Sequence, residues 1–186
     1  MKKFFRAFSV FVFICAASAV NAEMNIVPKV AIDIPASLSY DSAADQDAKR
    51  GFNLSLEVRG DISQYFMWGA GSAYLFNRGI AGCGSDSDFS FMSVYGSLFF
   101  TPFGYFYQVK PYIRVNAGYD IIASNNAADK TKGGVTWGGG VGVEYKDVVG
   151  EVYGAHHYGS VENPDPIDFK YVQIGIALGY KFKLKS

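Results

Sequence analysis

From residue 25 onward, apolar and polar side chains alternate with a period of two in segment after segment, the pattern of half-buried β-strands. The first segment is Asn25 to Ile34, with Val30, Ile32 and Ile34 on one face. In the second, Gly51 to Arg59, Phe52, Leu54, Leu56 and Val58 alternate with Asn53, Ser55, Glu57 and Arg59. Gln64 to Phe76 and Phe89 to Phe100 are the third and fourth. In the fifth, Phe106 to Asp120, the row Val109, Pro111, Ile113, Val115, Ala117, Tyr119 opposes Lys110, Tyr112, Arg114, Asn116, Gly118, Asp120. The sixth, Gly134 to Lys146, sets Val135, Trp137, Val141, Val143 and Tyr145 against Thr136, Gly138, Gly140, Gly142 and Glu144. Val148 to Tyr158 is the seventh, and Asp168 to Lys183 the eighth, with Val172, Ile174, Ile176, Leu178, Tyr180 and Phe182 in an unbroken row.

Eight strands is an even number, and each is at least about as long as the roughly 9–11 residues a tilted strand needs to cross a bilayer. The connections alternate in length. Those at 35–50, 77–88, 121–133 and 159–167 are long; Gly60 to Ser63, Thr101 to Tyr105 and Asp147 are short. Short turns on one side and long polar loops on the other predict an all-β, eight-stranded, antiparallel, up-and-down transmembrane β-barrel with both termini on the periplasmic side.

The N-terminus has a different pattern. Lys2, Lys3 and Arg6 precede an apolar run from Ala7 to Ala17, and Val20-Asn21-Ala22 supplies compact residues before Glu23. This reads as a cleaved signal peptide over 1–22, followed by a barrel domain over 23–186. Ile14 before Cys15 does not suit a lipoprotein signal, so Cys83 is left as a lone cysteine in the exported chain.

Alternation alone also fits a soluble exported lipocalin-like barrel, with inside and outside exchanged. Composition separates the two. Charged residues are 18% of the chain and aromatics 17%, and there are 21 glycines. The polar face is rich in Gly, Ser, Asn and Thr, whereas a soluble exterior carries more Lys and Glu. Aromatics gather near strand ends, as with Phe66, Trp68, Tyr74, Phe76, Trp137, Tyr145, Tyr180 and Phe182, and aliphatics fill most of the middles. Such girdles suit a barrel in lipid. Under this reading Ile113, Val115, Ile174 and Ile176 face hydrocarbon while Arg114 and Glu144 face the axis. The 17 basic and 17 acidic residues balance, so no nucleic-acid partner is expected.

Three segments carry a family resemblance. Lys110-Pro111-Tyr112-Ile113-Arg114-Val115-Asn116-Ala117-Gly118-Tyr119 resembles a strand of small outer-membrane β-barrels. Trp137-Gly138-Gly139-Gly140-Val141-Gly142-Val143-Glu144-Tyr145 is similar to their following Gly-rich strand. Ile174 to Phe182 resembles their closing strand, the type the barrel assembly machinery recognises, although Lys183-Leu184-Lys185-Ser186 follows the final aromatic here. The likeness is to the superfamily of OmpA-like transmembrane domains, OmpX-like proteins and the "porin family". It implies a bacterial outer-membrane location in a Gram-negative envelope, contact with outer-membrane lipid and lipopolysaccharide, and surface partners reached through the four long loops.

Strand parity points Glu57, Arg59, Lys110, Arg114, Glu144 and Glu151 into the lumen, mostly in its periplasmic half. A barrel of eight strands is just wide enough to be filled by side chains, and isolated buried charges are costly. Two arrangements follow: a salt-bridged plug with Arg114 near its centre, or separate charges at a wet rim. Neither leaves a wide diffusion pore.

No catalytic, cofactor or metal site is expected, and the nucleotide-binding glycine motifs are absent. Asp41, Asp45, Asp47, Asp86 and Asp88 lack the Ca²⁺-loop spacing and read as solvated loop carboxylates. The enzyme alternative is a lipid A deacylase, because His156-His157-Tyr158-Gly159-Ser160-Val161-Glu162 brings histidines near a serine. Ser160 lies three residues past His157, however, which puts the two on opposite faces of a strand. The expected role is structural or surface interaction, such as adhesion or binding of host factors.

Overall fold

The computed structural model describes residues 23–40, 46–47, 50–78, 89–103, 107–124, 130–162 and 166–184. Eight long strands dominate: β1 (Met24–Tyr40), β2 (Phe52–Asp61), β3 (Phe66–Arg78), β4 (Phe89–Phe100), β5 (Val109–Ser124), β6 (Val135–Tyr145), β7 (Val148–Glu162) and β8 (Pro166–Tyr180). Each pairs antiparallel with its sequence neighbours, and β8 pairs with β1 as well as β7. The closing register sets Val30 against Leu178 and Ile32 against Ile176. Closure leaves no sheet edge, which is the condition for a sheet to cross lipid without unpaired backbone groups.

Several strands outrun the alternating pattern at the long-loop end. β1 continues to Tyr40 through an irregularity between Ile34 and Ser37, and its end pairs with Gln46–Asp47. β5 runs to Ser124 and β7 to Glu162, and Lys130–Lys132 pairs with the end of β7. The long loops are therefore shorter than the alternation implied.

At the other end the turns are tight. Tyr107 and Gln108 adopt φ of 49° and 70°, which reverses the chain, so β5 starts at Val109 rather than Phe106. Lys146, at φ 55°, forms the β6–β7 turn with Asp147. After Tyr180 the chain steps through Lys181, and Phe182–Lys183 pairs with β1. The signal peptide 1–22, Cys15 and Cys83, Asp41, Asp45, Asp86 and Asp88, and most of the loops 35–50, 77–88, 121–133 and 159–167 lie outside the described residues.

The faces are those of a barrel in lipid. Ile113, Val115, Ile174 and Ile176 are 49–55% exposed, whereas Arg114 is 9% and Glu144 2% exposed. Rings cluster towards both rims of the outer surface: Phe66 with Phe100 and Tyr180 with Phe182 at the turn end, Phe52 with Phe76 at the loop end. Trp68 departs from the girdle pattern; it is buried, with its indole lying over Gly60. Aromatics also fill the interior, where Phe91, Tyr95, Phe99, Tyr112 and Tyr171 are buried. Glycines accommodate them: Tyr112 lies across from Gly142, where a Cβ would fall 2.5 Å from its ring.

Candidate functional site in the barrel lumen

Parity along β2, β5, β6 and β7 turns Glu57, Arg59, Lys110, Arg114, Glu144 and Glu151 inward, and all six are buried. Arg59 is the hub. Its Nε donates to Glu57, Nη1 donates to Glu144 at 3.1 Å, and Nη2 donates to Glu151 at 2.8 Å. Arg114 Nη1 lies 3.0 Å from Glu151 and 3.8 Å from Glu57. The guanidinium of Arg59 also sits 4.5 Å from the Phe99 ring centroid, and that of Arg114 lies 5.3 Å from Tyr95. Lys110 lies opposite Glu144 in register and donates to Asp61, at the wetter periplasmic rim, at 3.2 Å.

Two further cations complete the network. Lys29 donates to Glu151 at 3.0 Å and Glu57 at 3.4 Å, and Lys181 donates to Glu144 at 2.8 Å. Both were legible by parity, since Lys29 alternates with Val30 and Lys181 separates Tyr180 from Phe182. The cluster thus sets Lys29, Arg59, Arg114 and Lys181 against Glu57, Glu144 and Glu151. Buried charges of one sign are held by the other, which offsets much of their desolvation cost. Tyr112 adds a hydrogen bond to Glu151 at 2.7 Å. The network spans β1, β2, β5, β6, β7 and the chain after β8, so it closes the lumen's periplasmic half.

A second polar layer lies nearer the loops. His157 Nδ1 donates to Asp120 Oδ2 at 2.7 Å, with Thr136 Oγ1 3.1 Å away, and Ser93 bonds the other carboxylate oxygen. His157 stacks on Phe91 and packs tilted against Tyr171, at 5.2 and 5.7 Å between centroids, and Phe91 and Tyr171 stack on each other at 5.6 Å, so the three rings form a triangle. Asp33 accepts bonds from Asn53 and Tyr171, both at 3.4 Å, and Asn53 also donates to Tyr153 at 2.7 Å. Between the layers is a cavity of about 50 Å³, lined by Arg114, Glu151, His157 and Gln173 among others. That is room for a few waters, and the buried Arg114 Nε, His157 Nε2 and Gln173 Oε1 are polar groups such waters would bond.

The arrangement is therefore a closed sheet with apolar groups outside and paired charges inside. Among solved structures it matches Neisserial surface protein A, with a TM-score of 0.55 and 18% identity, over 86% of this chain and 97% of that one. It also matches the outer membrane protein OprG from Pseudomonas aeruginosa, with a TM-score of 0.54 and 17% identity, over 88% and 97%. The fold is that of a small outer-membrane β-barrel. No family model matches the sequence, and no curated protein does.

On this barrel the two adjacent histidines separate. His157 faces the lumen, while His156 faces out and stacks on Trp137 with centroids 4.3 Å apart. Ser160 shares the outward face of His156, four residues along an unbroken ladder and roughly 13 Å away. Ser93 bonds Asp120 rather than His157, and Thr136 faces the Nδ1 already used by Asp120. No hydroxyl among the described residues reaches His157 Nε2 or His156 Nδ1.

Proposed function

We propose that this chain is an integral protein of a bacterial outer membrane, without catalytic activity, whose role is structural or one of surface interaction through the long loops. The observation that carries this reading is the inverted polarity of a closed eight-stranded sheet. Aliphatic side chains cover the outside, and the Arg59–Glu57–Glu144–Glu151 network fills the inside. A lumen filled in this way supports a role that does not depend on solute passage. That leaves the loop end as the working surface, for adhesion or for binding host factors.

Cell fractionation with a heat-modifiability gel tests the location. The chain is expected in the outer-membrane fraction, migrating differently before and after boiling; recovery in the aqueous periplasmic fraction would remove the reading. The surface role is tested on cells displaying the barrel with loops 35–50, 77–88, 121–133 and 159–167 intact or shortened. Intact loops are expected to increase adherence to immobilised host proteins, and shortening them to abolish the increase. Equal adherence with both forms would leave envelope structure as the role.

A further inference from the structure

Near the loop end, the outward faces of β6, β7 and β8 carry a cluster that the lumen network does not use. Trp137, His156 and Val172 form one cross-strand row. One row nearer the loops, Tyr158 lies opposite Lys170. One row nearer the membrane centre are Gly139, Gly154 and Ile174. Lys170 alternates with buried Tyr171 and so faces out with Val172 and Ile174. It is half-buried, and no carboxylate among the described residues pairs with it.

An outward lysine is costly at the bilayer midplane and tolerated near the interface. The Trp137–His156 stack just below marks that interface, as aromatic belts do. His156 and Lys170 are diagonal neighbours across the β7–β8 ladder, about 7–8 Å apart at the backbone and within reach of long side chains. Exposed Asp168 lies on the loop side of Lys170, so an anion is favoured on its membrane side.

The two glycines beneath leave a dent in the lipid-facing surface. At outward-facing Gly139 a Cβ would fall 3.0 Å from the backbone oxygen of Arg114, so packing within the chain favours glycine there. At outward-facing Gly154 a Cβ would meet nothing nearer than 3.7 Å. The glycine at 154 is therefore not imposed by packing within the chain.

We propose that Lys170, with Tyr158 and His156 beside it, binds the phosphate of an outer-leaflet glycolipid, one of whose acyl chains lies over Gly139 and Gly154. The phosphate supplies the charge that Lys170 lacks. The loop end faces the outer leaflet, where the phosphorylated lipid is lipid A. This site rests on the outer-membrane reading above.

The test is native mass spectrometry of the detergent-purified full barrel with three added lipids: bis-phosphorylated lipid A, the same lipid without phosphates, and phosphatidylglycerol. The wild type is expected to retain phosphorylated lipid A best, with Lys170→Ala lowering retention roughly tenfold, the scale of one charge-assisted contact. Gly154→Leu, which fills the dent, is expected to lower it as well. Heat-modifiable mobility verifies that each variant is folded. Equal retention by wild type and Lys170→Ala, or phosphatidylglycerol held as firmly as lipid A, overturns the proposal. If the chain fractionates to the outer membrane and Lys170→Ala changes nothing, this site alone fails. If the chain is not in that membrane, the reading beneath it fails.

Discussion

Arg59 Nη2 lies 2.8 Å from Glu151 Oε1, joining β2 to β7 through the barrel interior across 92 residues of sequence. The same carboxylate accepts bonds from Lys29, Arg114 and Tyr112. Glu151→Ala therefore strands three buried cations on fewer partners. The expected loss of stability is about 3–5 kcal/mol, the cost of breaking a buried ion pair by removing one member. It would be read from the urea midpoint of the refolded barrel in lipid vesicles. A loss under about 1 kcal/mol, the value of an exposed pair, would mean that the lumen is solvated at this level.

The same network is expected to limit passage. Planar-bilayer recordings of the wild-type barrel are expected to show no steps or only small ones. The Arg59 guanidinium lies over the Phe99 ring, so the double variant Arg59→Ala, Phe99→Ala removes two fully buried side chains at the hub. It is expected to give larger and longer steps. Unchanged conductance would place the constriction elsewhere, with the Phe91, His157 and Tyr171 ring cluster the next section to test.

Alternation made the faces legible because a strand's side chains have no third direction to take. Arg114 between Ile113 and Val115 needed no structure to be placed inside. What alternation lacks is register. Lys29 and Glu151 are 122 residues apart, and their meeting depends on the β1–β8 closure. Nothing in the sequence pairs His157 with Asp120, 37 residues away, until the register brings the two together. The room for the interior rings is hidden for a related reason. Parity puts Tyr112 on the inward row with Arg114, but only register shows that Gly142 and Gly69 open the space that admits Tyr112 and Phe99.

The lipid-facing assignment makes substitution cost depend on depth. Ile176 faces out, six residues from Lys170 and four from Tyr180, so it lies well inside the apolar belt. Ile176→Lys is expected to cost about 2–4 kcal/mol, and Leu184→Lys, at the rim, about 0–1 kcal/mol. Urea titration in lipid vesicles measures both. Equal costs would be incompatible with a hydrocarbon band at Ile176.

Two glycines on neighbouring strands should respond oppositely to the same change. At Gly142, facing in, a new Cβ would fall 2.5 Å from Tyr112, whose hydroxyl is held by Glu151 at 2.7 Å and cannot swing away without losing that bond. Gly142→Ala is expected to destabilise by about 1–3 kcal/mol through overpacking. Gly150 faces out, and a Cβ there meets only Val143 Cγ2 at 3.9 Å. Gly150→Ala is expected to stabilise by about 0.4–1 kcal/mol, because it restricts the unfolded chain without straining the folded one. The two midpoints should therefore fall on either side of the wild type. Coincident midpoints would mean that Tyr112 is not fixed against Gly142, and that the inner wall is looser than its hydrogen bonds require.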